Sequence, residues 1–176
     1  MHGKAMSEDA SNLIRAAQAG DVDAFRALHR QFIGRAYTVC RRLLADDARA
    51  EDACQETFLK VWQQLPGFRH ESSFSTWVHS IATRCAIDLW RRERGTRLLD
   101  EHDLDSVPDT RVVLHEKDTE RAIAALPAQA RAVFVLFALE GHTHQEIAGL
   151  LGIAEGSSRA HYHRARSLLK EILRDA

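Results

Sequence analysis

Arg159, His163, Arg166 and Lys170 recur at spacings of four, three and four near the end of the chain. On a helix that spacing places the four on one face. Small Ser157 and Ser158 just before them let such a helix come close to a duplex. A row of cations of this kind grips phosphates and, inside a major groove, reaches base edges. A second cluster implies a different chemistry. Phe68-Arg69-His70-Glu71-Ser72-Ser73-Phe74, followed by Trp77, His79, Arg84, Trp90, Arg91 and Arg92, interleaves aromatic rings with basic groups. An unpaired base stacked on a ring or guanidinium plane gains about 1–3 kcal/mol. Cations alongside hold the strand's phosphates, so the surface suits single-stranded or melting DNA. The competing reading of the Arg159 row is a solvated charged face, and that of Trp77 and Trp90 is helix core.

Other chemistries find little support. His142-x-His144 and His161-x-His163 suggest metal ligands, but positions two apart on a helix point in different directions. No cysteine or aspartate pair completes a zinc-like spacing. No metal site and no cofactor is therefore expected. Cys40, Cys54 and Cys85 form no CxxC and sit among apolar neighbours, so they read as small buried hydrophobes. No Ser, His and acid grouping stands out, and there is no Gly-rich phosphate loop. The chain is not expected to be an enzyme.

The 176 residues are 45% hydrophobic and 28% charged, enough apolar material for one domain or two small ones. No apolar run approaches the roughly 20 residues of a bilayer span, and Met1 to Ala10 lacks a signal-peptide core. A cytoplasmic protein without membrane insertion is the expectation. The net charge of −1 hides a pattern. Residues 11–95 hold 13 Lys and Arg against 10 Asp and Glu, and residues 121–176 hold 7 against 5. Residues 96–120 hold 3 against 8, an acidic connector between two mildly basic blocks. Neutral bulk charge does not exclude DNA binding when cations share a face.

The elements that must position these residues are all helical. Phe25, Leu28, Phe32, Ala36, Val39 and Leu43 mark a helix beginning near Asp21. Ala50, Cys54, Phe58, Val61 and Leu65 mark a second, capped by Asp46 or Asp47 and stopped by Pro66-Gly67. Phe74, Val78, Ile81, Cys85 and Leu89 form the buried stripe of a third. Periodicity is lost over 96–113, around Pro108. Helices near 115–126 and 128–140 follow, separated by Pro127 and ended by Gly141. Thr143-His144-Gln145-Glu146 has the form of a capping box opening a short helix. Gly152 makes a turn, and a last helix runs from about Glu155 to Leu173 with Tyr162, Ala165, Leu168, Leu169 and Ile172 inward. Residues 143–173 thus fit a helix-turn-helix. Ala154 is a poor cap there, while Gly156 leaves the backbone room near phosphate. The fold class is all-α: two small helical domains, 11–95 and 115–176, joined by an acidic flexible linker over 96–114.

Longer motifs on these helices resemble one family. Asp52-Ala-Cys-Gln55-Glu56-Thr-Phe58, then Ser73-Phe74-Ser-Thr76-Trp77 and Ile81-Ala82, look like region 2 of the extracytoplasmic-function (ECF) sigma factors. Leu126-Pro127, Arg131, Val133-Phe134, Glu140-Gly141, Glu146-Ile147-Ala148, Leu151-Gly152-Ile153, Glu155-Gly156 and Arg164-Ala165-Arg166 resemble region 4 of the same family. The likeness covers about residues 12–172, in order.

The resemblance implies a promoter-specificity subunit of bacterial RNA polymerase. Region 2 would dock on the beta-prime clamp helices through Asp52, Gln55 and Glu56, with Leu59 nearby and Phe58 packing inward. Its loop and third helix would recognise and open the minus-ten element through Arg69, His70, Ser72, Trp77, Arg84, Arg91 and Arg92. Region 4, which the family also sets against the beta flap, would read the minus-thirty-five duplex through Ser157, Ser158, Arg159, His161, His163, Arg164 and Arg166. The linker would thread toward the active-site and RNA-exit channels, and an anti-sigma factor would hold the protein inactive. Two departures stand out. Arg84 replaces a frequent Asn, and the family run Thr-Val-Lys-Ser-Arg-Leu becomes Ser157-Ser158-Arg159-Ala160-His161-Tyr162. The rival expectation is a regulator that uses the helix-turn-helix alone, without being a polymerase subunit.

Overall fold

A computed structural model describes residues 8–97 and 116–174, with side chains over 10–93 and 119–174. The described residues form eight α-helices and no strand: α1 (Glu8–Gln18), α2 (Val22–Leu44), α3 (Asp47–Gln64), α4 (Phe74–Arg97), α5 (Glu116–Ala125), α6 (Ala128–Phe134), α7 (His144–Leu151) and α8 (Glu155–Arg174). The all-helical, two-domain expectation holds. Most of the expected linker, including its acidic stretch, lies outside the described residues. None of the described helices is long and apolar enough to cross a membrane.

The described residues divide into two compact units. One comprises residues up to 40 together with 47–86, the other 41–46 together with those from 87 onward. In the first unit, α2 begins where Asp21 Oδ1 accepts the backbone N–H groups of Asp23 at 2.9 Å and Ala24 at 3.0 Å. After α3, Pro66 lies in a single 3-10 turn, Leu65–Gly67. α4 starts where Ser73 Oγ accepts the N–H of Thr76 at 3.1 Å. Ile14, Leu28, Val39, Val61, Leu65, Phe74 and Val78 fill the core between these helices.

α1 is an addition to the sequence-based reading, which started the first helix near Asp21. Ala10, Ile14 and Ala17 form its buried stripe. With three buried apolar positions in three turns, its stability comes from packing rather than propensity. All three cysteines are free and buried within this unit.

The second unit is organised around a buried arginine. Arg131 on α6 donates from Nη1 to Leu126 O at 2.8 Å and Ala124 O at 3.1 Å, satisfying carbonyls at the end of α5. Its Nη2 and Nε reach Leu44 O at 3.3 Å and Leu43 O at 3.4 Å, in the last turn of α2. A buried guanidinium is tolerable because these acceptors replace its water. α6 continues into a π-helical turn, Val135–Leu139, and Gly141 at φ 75° redirects the chain. The expected capping box is present: Glu146 N donates to Thr143 Oγ1 at 3.2 Å, and Thr143 N donates to Glu146 Oε2 at 2.8 Å. Gly152 adopts φ 66°, ψ 42°, the left-handed conformation that the turn into α8 requires.

Candidate polymerase and nucleic-acid interfaces

Asp52, Gln55, Glu56 and Leu59 are spaced three, one and three along α3, which gathers them on one face. Asp52 and Gln55 are exposed, Glu56 is half-buried and Leu59 is 60% exposed. Lys60 Nζ lies 3.4 Å from Glu56 Oε1 one turn on. The opposite side of α3 holds Ala53, Cys54, Thr57, Phe58 and Val61 in the core. Thr57 donates its hydroxyl to Ala53 O at 2.7 Å, so a buried polar group is satisfied. Phe58 packs inward, its ring 4.4 Å from that of His29. An apolar Leu59 standing proud among amide and carboxylate groups has the composition of a docking face.

The loop before α4 encloses a second feature. Gly67, Phe68, Arg69, Glu71, Ser72 and Trp77 line an open cavity of about 430 Å³. Phe68 is buried and braces the half-buried Trp77, with ring centroids 4.8 Å apart, while Phe74 supports both at 5.5 and 5.6 Å. His70 stands 4.7 Å from Phe68, on a left-handed backbone at φ 59°. α1 fixes the loop from behind: Gln18 Nε2 donates to Phe68 O at 3.0 Å and Leu65 O at 3.2 Å. Sequence reasoning missed Gln18, because a glutamine on a short helix carries no signal until its distant partners are known.

Of the remaining basic residues expected in region 2, Arg84, Arg91 and Arg92 are all exposed on α4. At a rise of about 1.5 Å per residue, Arg91 lies roughly 20 Å along the helix from Trp77. The loop residues Arg69, Ser72 and Trp77 are brought together at one cavity with His70 beside them; Arg91 and Arg92 are not. Trp90 is buried, so it belongs to the core and not to the aromatic surface.

On α8, Ser157, Arg159, His163 and Arg166 are exposed, and His161 and Arg164 are half-buried. Arg159 Nη2 pairs with Glu155 Oε1 at 2.6 Å, and the Arg166 guanidinium lies 5.8 Å from the Tyr162 ring. Ser158 corrects the sequence-based expectation. It is fully buried, and its hydroxyl is hydrogen-bonded to His144 Nδ1 at 2.9 Å, so it faces α7 and not a groove. Position 158 lies about 100° around the helix from Arg159, on the inner side with Ala165 and Leu169, which the run of small residues conceals.

Among the described residues no group of three or more His, Cys, Asp or Glu side chains is arranged to hold a metal ion. The cysteines are poorly suited to reactivity. Burial, reinforced by neighbouring thiols, pushes Cys40 up to about 12 and Cys54 up to about 11. Burial also raises Cys85, partly offset by Thr57 and Lys60.

With this geometry in hand, similarity to known proteins is informative. Residues 28–96 match the family Sigma-70 region 2, and residues 117–169 match Sigma-70, region 4. The chain is 31% identical over 179 residues to the ECF RNA polymerase sigma factor SigF of Caulobacter vibrioides, covering 96% of this chain and 98% of that protein. It is 33% identical over 156 residues to the ECF RNA polymerase sigma factor SigE of Mycolicibacterium smegmatis, covering 83% of this chain but only 60% of the longer SigE. A sigma factor RpoE solved in complex with the anti-sigma factor NepR from Bartonella quintana superimposes with a TM-score of 0.53 at 25% identity, over 87% of this chain and 98% of RpoE. Helical segments matching sigma regions 2 and 4 in order define a sigma factor of the sigma-70 class. The chain belongs to the ECF RNA polymerase sigma factors.

Proposed function

We propose that the protein attaches to core RNA polymerase through Asp52, Gln55, Glu56 and Leu59 on α3 and thereby brings two DNA-reading surfaces to a promoter. The observation that carries this reading is the α3 face: a 60%-exposed leucine ringed by polar groups, on a helix whose other side is fully packed. A regulator using only its helix-turn-helix would leave that face without a task. The beta-prime clamp helices are the partner of α3, and the beta flap receives region 4.

The cavity behind Arg69, Ser72 and Trp77 takes an unpaired base of the minus-ten element, with Arg84, Arg91 and Arg92 following the strand's phosphates. α7 and α8 dock in duplex DNA at minus thirty-five, with Ser157, Arg159, His161, His163, Arg164 and Arg166 as the reading and anchoring groups. Two elements held by one tethered molecule raise each other's effective concentration, so modest individual affinities suffice. A base trapped outside the duplex biases the promoter toward the open form. The protein contributes binding free energy, and the polymerase in the cytoplasm performs the chemistry. Residues 11–95, 96–114 and 115–176 are its region 2, linker and region 4. An anti-sigma factor restrains it by covering these surfaces, as the complexed state of RpoE from Bartonella quintana suggests.

Run-off transcription with core polymerase, on the promoter upstream of the protein's own gene, tests the reading. Gln55→Ala combined with Glu56→Lys should abolish both core association and the defined start site while leaving the thermal transition in place. Unchanged association and start-site selection in that folded variant would overturn it.

A further inference from the structure

We infer that His144 is a positioning residue for promoter readout, setting the rotation of α8 against α7 through its hydrogen bond to Ser158. The inference rests on the reading of α8 as the minus-thirty-five helix and adds a residue to it that touches no DNA. His144 opens α7 directly after the Thr143 cap. Its Nδ1 lies 2.9 Å from Ser158 Oγ in the first turn of α8, and Ser158 is fully buried. The imidazole plane lies nearly parallel to Phe137, 4.2 Å from it and inclined by 13°, and meets the edge of Tyr162 at 5.8 Å. Tyr162 in turn contacts Phe137 at 4.6 Å. One ring is therefore clamped by the π turn after α6, by its own helix start and by α8.

The polar pair has a positional consequence. Apolar contacts between helices tolerate small slides, because dispersion is non-directional. A hydrogen bond to a buried hydroxyl does not: its strength falls steeply with distance and angle, and a lost partner leaves a desolvated oxygen. Ser158 is fully buried on the inner side of α8, so the contact that fixes this point of the helix is a directional one. Ser157 and Arg159 flank Ser158, and Tyr162 and His163 follow a turn later. A rotation of α8 of a few degrees about its axis displaces the tips of these long side chains by a sizeable fraction of an ångström. Base-edge hydrogen bonds are sensitive to shifts of that size.

The test uses holoenzyme assembled with the full chain and a promoter library randomised at the minus-thirty-five element. Four variants separate bond from ring: Ser158→Ala and His144→Phe remove the bond, His144→Asn keeps a polar atom at the Nδ1 position without the ring, and His144→Phe with Ser158→Val replaces the pair by an apolar one. Melting temperature is measured for each. The expected result is that base preference follows the bond. His144→Phe and Ser158→Ala lose roughly 3- to 10-fold of the discrimination between best and scrambled elements, about the strength of one hydrogen bond. The apolar pair recovers melting temperature but not preference, and His144→Asn recovers preference at a lower melting temperature. Preference that tracks melting temperature across the series, or that is unchanged in His144→Phe, overturns the inference. Wild-type holoenzyme indifferent to the minus-thirty-five sequence would instead overturn the reading of α8 on which it rests.

Discussion

Phe68 and Trp77 stand with ring centroids 4.8 Å apart and planes inclined by 35°, the buried phenyl backing the half-exposed indole. The indole therefore enters the cavity already oriented, and a base stacking on it loses little further side-chain entropy. Trp77→Ala should lower open-promoter formation roughly tenfold, within the range of one stacked base. Permanganate reactivity of thymines at the start site measures this. Trp77→Phe should retain most of the opening, and core association should be unaffected by either change. Normal opening with alanine would show that the cavity does not seat a base.

Leu59 projects into solvent at 60% exposure, so its removal costs the free fold little. Leu59→Asp should weaken competition for core polymerase at least tenfold, since it places a charge in the middle of the proposed docked face, while the melting temperature stays within a few degrees. Competition against a labelled sigma factor reads the first quantity, and circular dichroism the second.

The capping box yields a stability prediction with a pH signature. Thr143→Ala removes the acceptor for Glu146 N and should cost about 1 kcal/mol in urea unfolding. Hydrogen bonds from the Thr143 N–H and hydroxyl hold the Glu146 carboxyl below the usual glutamate range. Its folded pKa is depressed, so its contribution is present above the ordinary glutamate pKa and is lost as pH falls through the folded value. Glu146→Gln should flatten that part of the stability profile. An unaltered acid limb in the glutamine variant would remove Glu146 from the account.

His144 gives the same sign in a different window. Burial lowers its pKa, with Arg159 and His163 adding to the effect and Glu155 opposing it. The unfolded chain thus takes up the proton first, and stability falls as pH drops below about 6.5, levelling off beneath the folded value. The Phe137 and Tyr162 rings and the Ser158 hydroxyl complete its surroundings. Nuclear magnetic resonance titration of the imidazole in the full chain should give a midpoint below that of a free histidine. His144→Phe should remove the corresponding slope from the unfolding profile.

The thiols should behave as core atoms. With Cys40 near 12 and Cys54 near 11, the thiolate is a minute fraction at pH 8. Alkylation by iodoacetamide should be negligible in the native protein and complete in urea, with intact mass as the readout. Rapid native labelling of either residue would mean that the core of the first unit opens far more often than its packing suggests.

Much of this molecule was legible from residue patterns because its helices announce themselves. The stripe from Leu28 to Val39, the stop at Pro66-Gly67 and the Thr143–Glu146 box are local signals with local causes, and each falls where expected. α1 escaped because its buried stripe is short and its purpose lies elsewhere: Gln18 grips the carbonyls of residues 65 and 68, some fifty positions away. Trp90 and Ser158 were misjudged or left open for a related reason. Residue type says what a side chain can do, but which side of a helix is covered depends on neighbours brought in from other helices. The Arg131 guanidinium illustrates this most fully, since it reaches carbonyls of Leu43 and Leu44 and of Ala124 and Leu126, at two helix ends far apart in sequence.

The π turn at Val135–Leu139 bears on how this segment can change over evolutionary time. A π turn accommodates one residue more than an α-helical turn would need, and its bond from Glu140 N to Val135 O spans five positions. Replacements there are constrained by the burial of Val135 and Leu136 and by the ring contacts of Phe137 with His144 and Tyr162. Deletion of a single residue there would remove the five-position bond and return the segment to ordinary helical winding, while Arg131 and its acceptors, all upstream of the turn, would stay together. The segment should therefore tolerate the loss of its one surplus residue more readily than a polar replacement of Val135, Leu136 or Phe137.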